Sequence, residues 1–141
     1  MHITPNLLVI IAMFVQTMLT FAVMIIMGRR RFAAARHGQL KKDDFKTMQL
    51  SHAPEPVLLA SRNFENQFEI PVLFFVVSLL ALQLNNTGWI FAVCAILFAF
   101  SRILHSFAHI TGNHVMTRFR LFLVGCGLLF AQWITLLVTF I

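Results

Sequence analysis

The chain reads as an all-α membrane protein, a bundle of four transmembrane helices, and three observations predict this. Apolar residues make up 59 % of the 141 residues, above the roughly 45–50 % of a soluble domain. Four apolar stretches are long enough, with their flanks, to supply the ~20 residues that a helix needs to cross a hydrocarbon layer about 30 Å thick. Basic residues gather between these stretches: 7 of the 11 lysines and arginines lie from Arg29 to Lys46. The net charge of +6 is thereby explained as a topological signal, and no nucleic-acid partner is expected. The length fits one domain, 1–141, without repeats or low-complexity tracts. Cys94 and Cys126 lie in apolar runs with no CxxC or Cys/His spacing, so no metal site is expected.

The first helix is expected from about 5 to 28, opening at Thr4-Pro5, where proline suits the first helical position. Positive charge follows this run instead of preceding it, which argues against a signal peptide. The basic loop 29–56 is expected in the cytoplasm by the positive-inside rule, with Arg36, Lys41, Lys42 and Lys46 as topogenic charge able to meet anionic lipid. Pro54 and Pro56 place the start of the second helix near Val57, and its span is 57–84. The fully apolar part, Ile70 to Leu82, is too short to cross alone, so the polar turns SRNFENQFE must be drawn into the membrane. Pro71 removes a backbone hydrogen bond and is expected to bend the helix just beyond Glu69.

A short uncharged loop, Asn85 to Gly88, precedes Trp89 at interface depth. Helices three and four are expected at about 89–110 and 118–141, with Gly112 as a helix stop between them. Arg102, Arg118 and Arg120 lie toward that connection, so loops one and three share the positive side. Both termini are then on the non-cytoplasmic side, and the protein is multi-pass, in the inner membrane for a bacterial host.

The polar turns of helix two carry the first candidate site. Arg62, Asn66 and Glu69, at steps of four and three, share a helix face at about 100° per residue. Arg102, His105 and His109 repeat the pattern on helix three. Together with Glu65, Arg118 and Arg120, every ionisable side chain within the spans falls in one leaflet. Such residues mark functional sites because a lipid-facing charge is costly. Alternatives stay open residue by residue: Arg120 as a snorkelling side chain, Glu69 in a structural ion pair with Arg102 or Arg62, His105 as an interhelical packing residue. Four arginines against two glutamates suit an anionic ligand held by bidentate pairs, and a pocket at the membrane boundary suits a polar anion together with an apolar partner.

These segments resemble the MAPEG family, the membrane-associated proteins in eicosanoid and glutathione metabolism. Arg62-x3-Asn66-x2-Glu69 followed by Pro71 is similar to the family's glutathione signature in helix two, and Ser101-Arg102-Ile103-Leu104-His105 to its helix-three motif. Arg118, seven residues before Gly125, resembles the arginine that faces the glutathione sulfur; Arg31, three residues after Gly28, resembles a helix-one arginine at the carboxylates. The resemblance implies a homotrimer that binds glutathione as co-substrate through Arg31, Arg62, Asn66, Glu69, Arg102, His105 and His109. Arg118 would be catalytic, stabilising a thiolate that attacks a lipophilic electrophile or a lipid hydroperoxide arriving from membrane lipid.

Two features depart from that pattern. The chain has no tyrosine, and His109 stands at the helix-three position where the family's better-known enzymes carry one; Pro71 also lies closer to Glu69 than in mammalian members. The expected activity is a glutathione transferase or peroxidase. The alternative is a non-catalytic lipid-binding or scaffold member of the same fold, favoured by the missing tyrosines and disfavoured by the full Arg/Asn/Glu set. A small transporter is disfavoured because no span is interrupted at mid-membrane by paired Gly or Pro.

Overall fold

The computed structural model describes residues 2–47, 50, 52–112 and 114–139. Its elements in chain order are α1 (Pro5–Arg36), α2 (Lys42–Thr47), α3 (Glu55–Glu65), a 3-10 turn (Asn66–Phe68), α4 (Ile70–Gln83), α5 (Trp89–Thr111) and α6 (Val115–Val138). Four stretches are long and apolar enough to cross a membrane: α1, α3 through α4, α5 and α6. Among the described residues there is no strand.

Thr4 caps α1 by accepting the Leu7 N–H at 3.3 Å, with Pro5 at the first position. The helix does not stop at Gly28. It runs through RRRFAAAR to Arg36, because alanine and arginine are strong helix formers and arginines suit a helix C-terminus. At about 1.5 Å per residue, its 32 residues extend well past the apolar slab, so the expected loop 29–56 begins with two turns of helix. A Schellman arrangement ends it: Gly38 takes a positive φ of 69°, Gly38 N–H donates to Ala35 and Gln39 N–H to Ala34. Beyond it Leu40, Ala53 and Val57 bury against Ala34, with Phe45, Leu50 and Leu58 at the margin. Asp44 holds this connection, accepting the Lys41 N–H at 2.7 Å and pairing with His52 at 3.2 Å.

The second span starts at Glu55, two residues before the expected Val57. Pro54 and Pro56 fit there because the N–H groups of a first helical turn have no intrahelical acceptor, so proline's missing N–H costs nothing. It is then interrupted at 66–69. Pro71 has no N–H and its ring would meet the carbonyl four residues back, so the chain tightens into the 3-10 turn and restarts as α4 with Pro71 in its first turn. The fourth span begins at Val115, three residues earlier than expected, and its described helix ends at Val138; the expected end at Ile141 and Asn113 of the connection lie outside the described residues.

Helix α5 is the central element, with half of its most apolar window buried. Phe91, Ala92, Ala95, Phe98 and Ala99 form a buried stripe, and Phe98 stacks on Phe74 of α4 at 4.4 Å. Small residues let the backbones approach: a Cβ on Gly125 of α6 would lie 3.3 Å from the Ser101 hydroxyl and 3.9 Å from the Arg102 side chain. Thr87 bonds Asn6 and Asn86 bonds Thr139, so both ends of the bundle's chain meet the α4–α5 loop. At the opposite, basic end Arg30 donates to the carbonyls of Pro56 (3.0 Å) and Ile110 (3.3 Å), tying α1 to α3 and α5.

A polar chain runs through this interior. Gln16 of α1 donates to the Gln67 side-chain oxygen at 3.0 Å, Gln67 donates to Asn63 and to the Ser106 hydroxyl (3.1 Å), and Asn63 donates to the Ser106 carbonyl. All four are buried, with Gln16 and Asn63 at 0 % exposure. Three spans are thus joined at the 3-10 turn. Replacing Gln67 by Leu strands the Gln16 amide N–H and the Asn63 side-chain oxygen, an expected loss of about 1–2 kcal/mol. Unfolding in mixed micelles should show Gln16→Leu and Gln67→Leu to be non-additive; additive losses would mean the two amides act independently.

Candidate functional site

At the basic end the bundle opens into a two-lobed cleft. The last turns of α1, the polar half of the second span, the end of α5 and the first turn of α6 surround it. The larger lobe, about 490 Å³, is lined by Arg31, Arg62, Glu65, Asn66, Glu69, His109 and Arg118, with Ser61, Leu50 and Leu58 at its edges. The narrower lobe, about 230 Å³, shares Asn66, Glu69, His109 and Arg118 and adds His105, Val115, Phe119 and Phe122. The larger lobe is lined mainly by charged and polar side chains, the narrower one adds an apolar wall of Val115, Phe119 and Phe122, and the four shared residues form the divide.

Seven of the eight residues singled out in the sequence line this cleft: Arg31, Arg62, Asn66, Glu69, His105, His109 and Arg118. The three consecutive arginines separate cleanly. Arg29 is exposed, Arg30 clasps two backbone carbonyls, and Arg31 turns into the cleft, its Nη2 donating to the Ser61 hydroxyl at 3.0 Å while Ser61 donates to the Val57 carbonyl at 2.9 Å. Arg102 is the exception. It is 1 % exposed and lies beneath the lining, where its Nη2 donates to the Asn66 carbonyl at 3.2 Å. There it supports the broken segment of the second span.

Among the described residues the ion pairs are Lys46–Asp43 and His52–Asp44, both in the loop. Glu69 therefore has no salt bridge to Arg62 or Arg102, and the structural ion pair does not form. Asn63 is buried in the polar chain, as a residue off the ligand face should be, while Glu65 stands exposed on the rim of the larger lobe. The sequence reading missed Ser61, whose hydroxyl positions Arg31, and the apolar wall Val115, Phe119 and Phe122. Phe119 and Phe122 follow Arg118 at one and four residues, a spacing that was available but indistinguishable from lipid-facing residues.

His105 and His109 stack with ring centroids 6.0 Å apart, and the His105 ring also lies 6.3 Å from Phe122. His105 Nδ1 is 3.0 Å from the Arg118 carbonyl, joining α5 to the first turn of α6. The Leu59 backbone lies within hydrogen-bonding reach of His109. A separate groove of about 510 Å³ at the far end, walled by Trp89, Phe91, Ile134 and Val138, has no ionisable lining.

Fold and cleft define an integral, multi-pass helical membrane protein with an arginine-rich interhelical site at one end. The model of the MAPEG family matches residues 9–138, nearly the whole chain, and the protein belongs to that family. Comparisons with curated proteins and with solved structures give no significant match. Family membership points to a role related to glutathione or to eicosanoid metabolism.

The two classes of arginine should separate on mutation. Arg102→Met removes a buried charged donor from the Asn66 carbonyl and is expected to cost about 1.5–3 kcal/mol of stability. Arg62→Ala, at an exposed position, is expected to stay within about 0.5 kcal/mol. Thermal and denaturant unfolding in detergent would measure both, and the reverse order would contradict the placement of Arg102.

Proposed function

We propose that the protein is a glutathione-dependent transferase or peroxidase acting on lipophilic electrophiles, with the cleft as its site. The observation that carries this is the convergence of Arg31, Arg62, Asn66, Glu69 and Arg118 from α1, the broken second span and α6 on one lobe. Its volume of about 490 Å³ falls in the range of about 300–1,000 Å³ usual for small-molecule sites. Glutathione carries two carboxylates, an ammonium and a thiol. Arg31 and Arg62 hold the carboxylates as guanidinium forks. Glu69 and Glu65 face the ammonium, and the Asn66 amide serves the peptide groups.

Arg118 stands at the divide between the lobes, where the sulfur would lie. A free thiol has a pKa near 8.5, and lowering it by about two units takes roughly 2.7 kcal/mol, within reach of one partly desolvated guanidinium. The thiolate attacks an electrophile or lipid hydroperoxide held in the narrower lobe against Val115, Phe119 and Phe122. By the positive-inside rule the cleft opens to the cytoplasm and both termini lie on the other side. The functional unit is a homotrimer with sites at the subunit boundaries.

Glutathione at 100 times its Kd should stabilise the detergent-solubilised protein by about 2.7 kcal/mol, seen as a rise in Tm. Arg118→Ala should leave the fold intact and abolish the ultraviolet absorbance of bound thiolate; unchanged absorbance would remove Arg118 from the mechanism. A non-catalytic lipid-binding or scaffold function is the alternative, supported by the absence of tyrosine and by His109 in the cleft wall. For that function, glutathione would leave Tm unmoved while lipid would raise it.

A further inference from the structure

His105 differs from the other cleft residues in what its ring is bonded to. Its Nδ1 faces the Arg118 carbonyl at 3.0 Å. A carbonyl oxygen can only accept, so Nδ1 bears the hydrogen, and in the neutral imidazole Nε2 is then a lone-pair acceptor. That Nε2 is buried and has no partner among the described residues, on a residue only 5 % exposed that lines the narrower lobe. A buried acceptor in such a place is one that a ligand's donor can satisfy. His109, 3 % exposed and also lining both lobes, leaves its Nδ1 unpartnered.

The charges around His105 define what that donor can be. Arg102 and His109 share its helix, Arg118 faces it from α6, and Glu69 lies across the lobe at the end of the 3-10 turn. An imidazolium formed beside two guanidiniums needs an anion formed with it. A thiol supplies both at once, giving up its proton to Nε2 and becoming a thiolate between His105 and Arg118, with no net change in the charge of the site. The same backbone bond that orients His105 also belongs to Arg118, so the acceptor and the anion-stabilising group are set in register by one contact.

We propose that His105 Nε2 is the proton acceptor for the thiol and, with an activated alkene as the electrophile, the proton donor to the product. This rests on the thiol-dependent function proposed above. The S–H bond breaks and its proton moves to Nε2. The sulfur pair then forms an S–C bond to the electron-poor carbon, the π pair moves onto the adjoining conjugated carbonyl as an enolate, and the imidazolium proton passes to the carbon next to that carbonyl. Thiol adds across the double bond, with no leaving ion to expel through the apolar wall of Val115, Phe119 and Phe122 and no external acid required.

Two substitutions distinguish this role from a structural one. His105→Asn keeps a donor at the Nδ1 position, able to reach the Arg118 carbonyl, and has nothing at Nε2; His105→Gln reaches the Nε2 position and loses the Nδ1 bond. In the full-length protein in detergent, glutathione binding near neutral pH should form thiolate with little proton release to an indicator dye. His105→Asn should retain glutathione binding and Tm, and any thiolate it forms should release one proton to the medium. Its turnover of glutathione with a lipophilic enone should fall about 10²–10⁴-fold, recovering as pH rises past the free thiol's ordinary value near 8.5. Wild-type release of one proton per thiolate, or unimpaired His105→Asn alongside a damaged His105→Gln, would overturn the proposal and leave His105 as a tether. Failure of the wild-type protein to bind glutathione would instead overturn the thiol-dependent function, and this inference with it.

Discussion

The structure depends on one constraint: a helix broken inside an apolar slab must find protein partners for the backbone groups it frees. The break at 66–69 follows from Pro71, and the groups around it are answered from two directions. Arg102 reaches from α5 to the Asn66 carbonyl, and Gln67, at the centre of the 3-10 turn, is held between Gln16 of α1 and Ser106 of α5. Burying a guanidinium costs several kcal/mol unless it is well paired. A carbonyl exposed by the break is a partner that a continuous helix would not offer, and the small residues along α5 and at Gly125 bring Arg102 close enough to use it.

The same interruption shapes the cleft. In a regular helix Glu69, seven residues after Arg62, would sit about 20° behind it around the axis. Three residues wound at three per turn instead of 3.6 add about 60°, bringing Glu69 to about 40° ahead of Arg62 and into line with Asn66. Glu65 stays about 60° on the other side of Arg62, so the polar face still covers roughly a quarter of the circumference, with Glu69 moved across it to the Asn66 side. The added rotation brings Glu69 beside Asn66 on the divide, while Glu65 stands on the rim of the charged lobe.

Much of this was legible in the sequence. Four spans, the Thr4-Pro5 start and the helix stop at Gly112 all follow from length, proline and glycine; Pro71 also announced an interruption, but it falls at 66–69 and not beyond Glu69, because the chain tightens in the turn ahead of the proline. Arg62, Asn66, Glu69, His105, His109 and Arg118 stood out because ionisable or amide groups in apolar runs need shelter. The extension of α1 to Arg36 was hidden because positive charge was taken as the mark of a loop, although Arg and Ala favour helix as strongly as any residue. Arg102 was recognisable as important but not as a backbone clamp, since its acceptor exists only once the second span breaks. Gln16 carried a readable signal, a lone amide in an otherwise apolar stretch, but its partner Gln67 was masked by the more conspicuous charges beside it.

The absence of tyrosine follows a coherent chemical pattern once the cleft is seen as a whole. A phenol donates a hydrogen bond to a sulfur anion but takes up a proton from a thiol poorly, because its own pKa near 10 leaves it protonated at neutral pH. A neutral imidazole presents a lone pair. On the proposed mechanism, His105 and His109, stacked 6.0 Å apart with unpartnered ring nitrogens on both, would shift the site from stabilising an anion by donation alone to exchanging a proton with its ligand. In that mechanism Arg118 would supply the charge the exchange requires, and its carbonyl, 3.0 Å from His105 Nδ1, holds the ring. The proposed mechanism thus divides anion stabilisation and proton acceptance between the side chain of one residue and a histidine held by that residue's backbone.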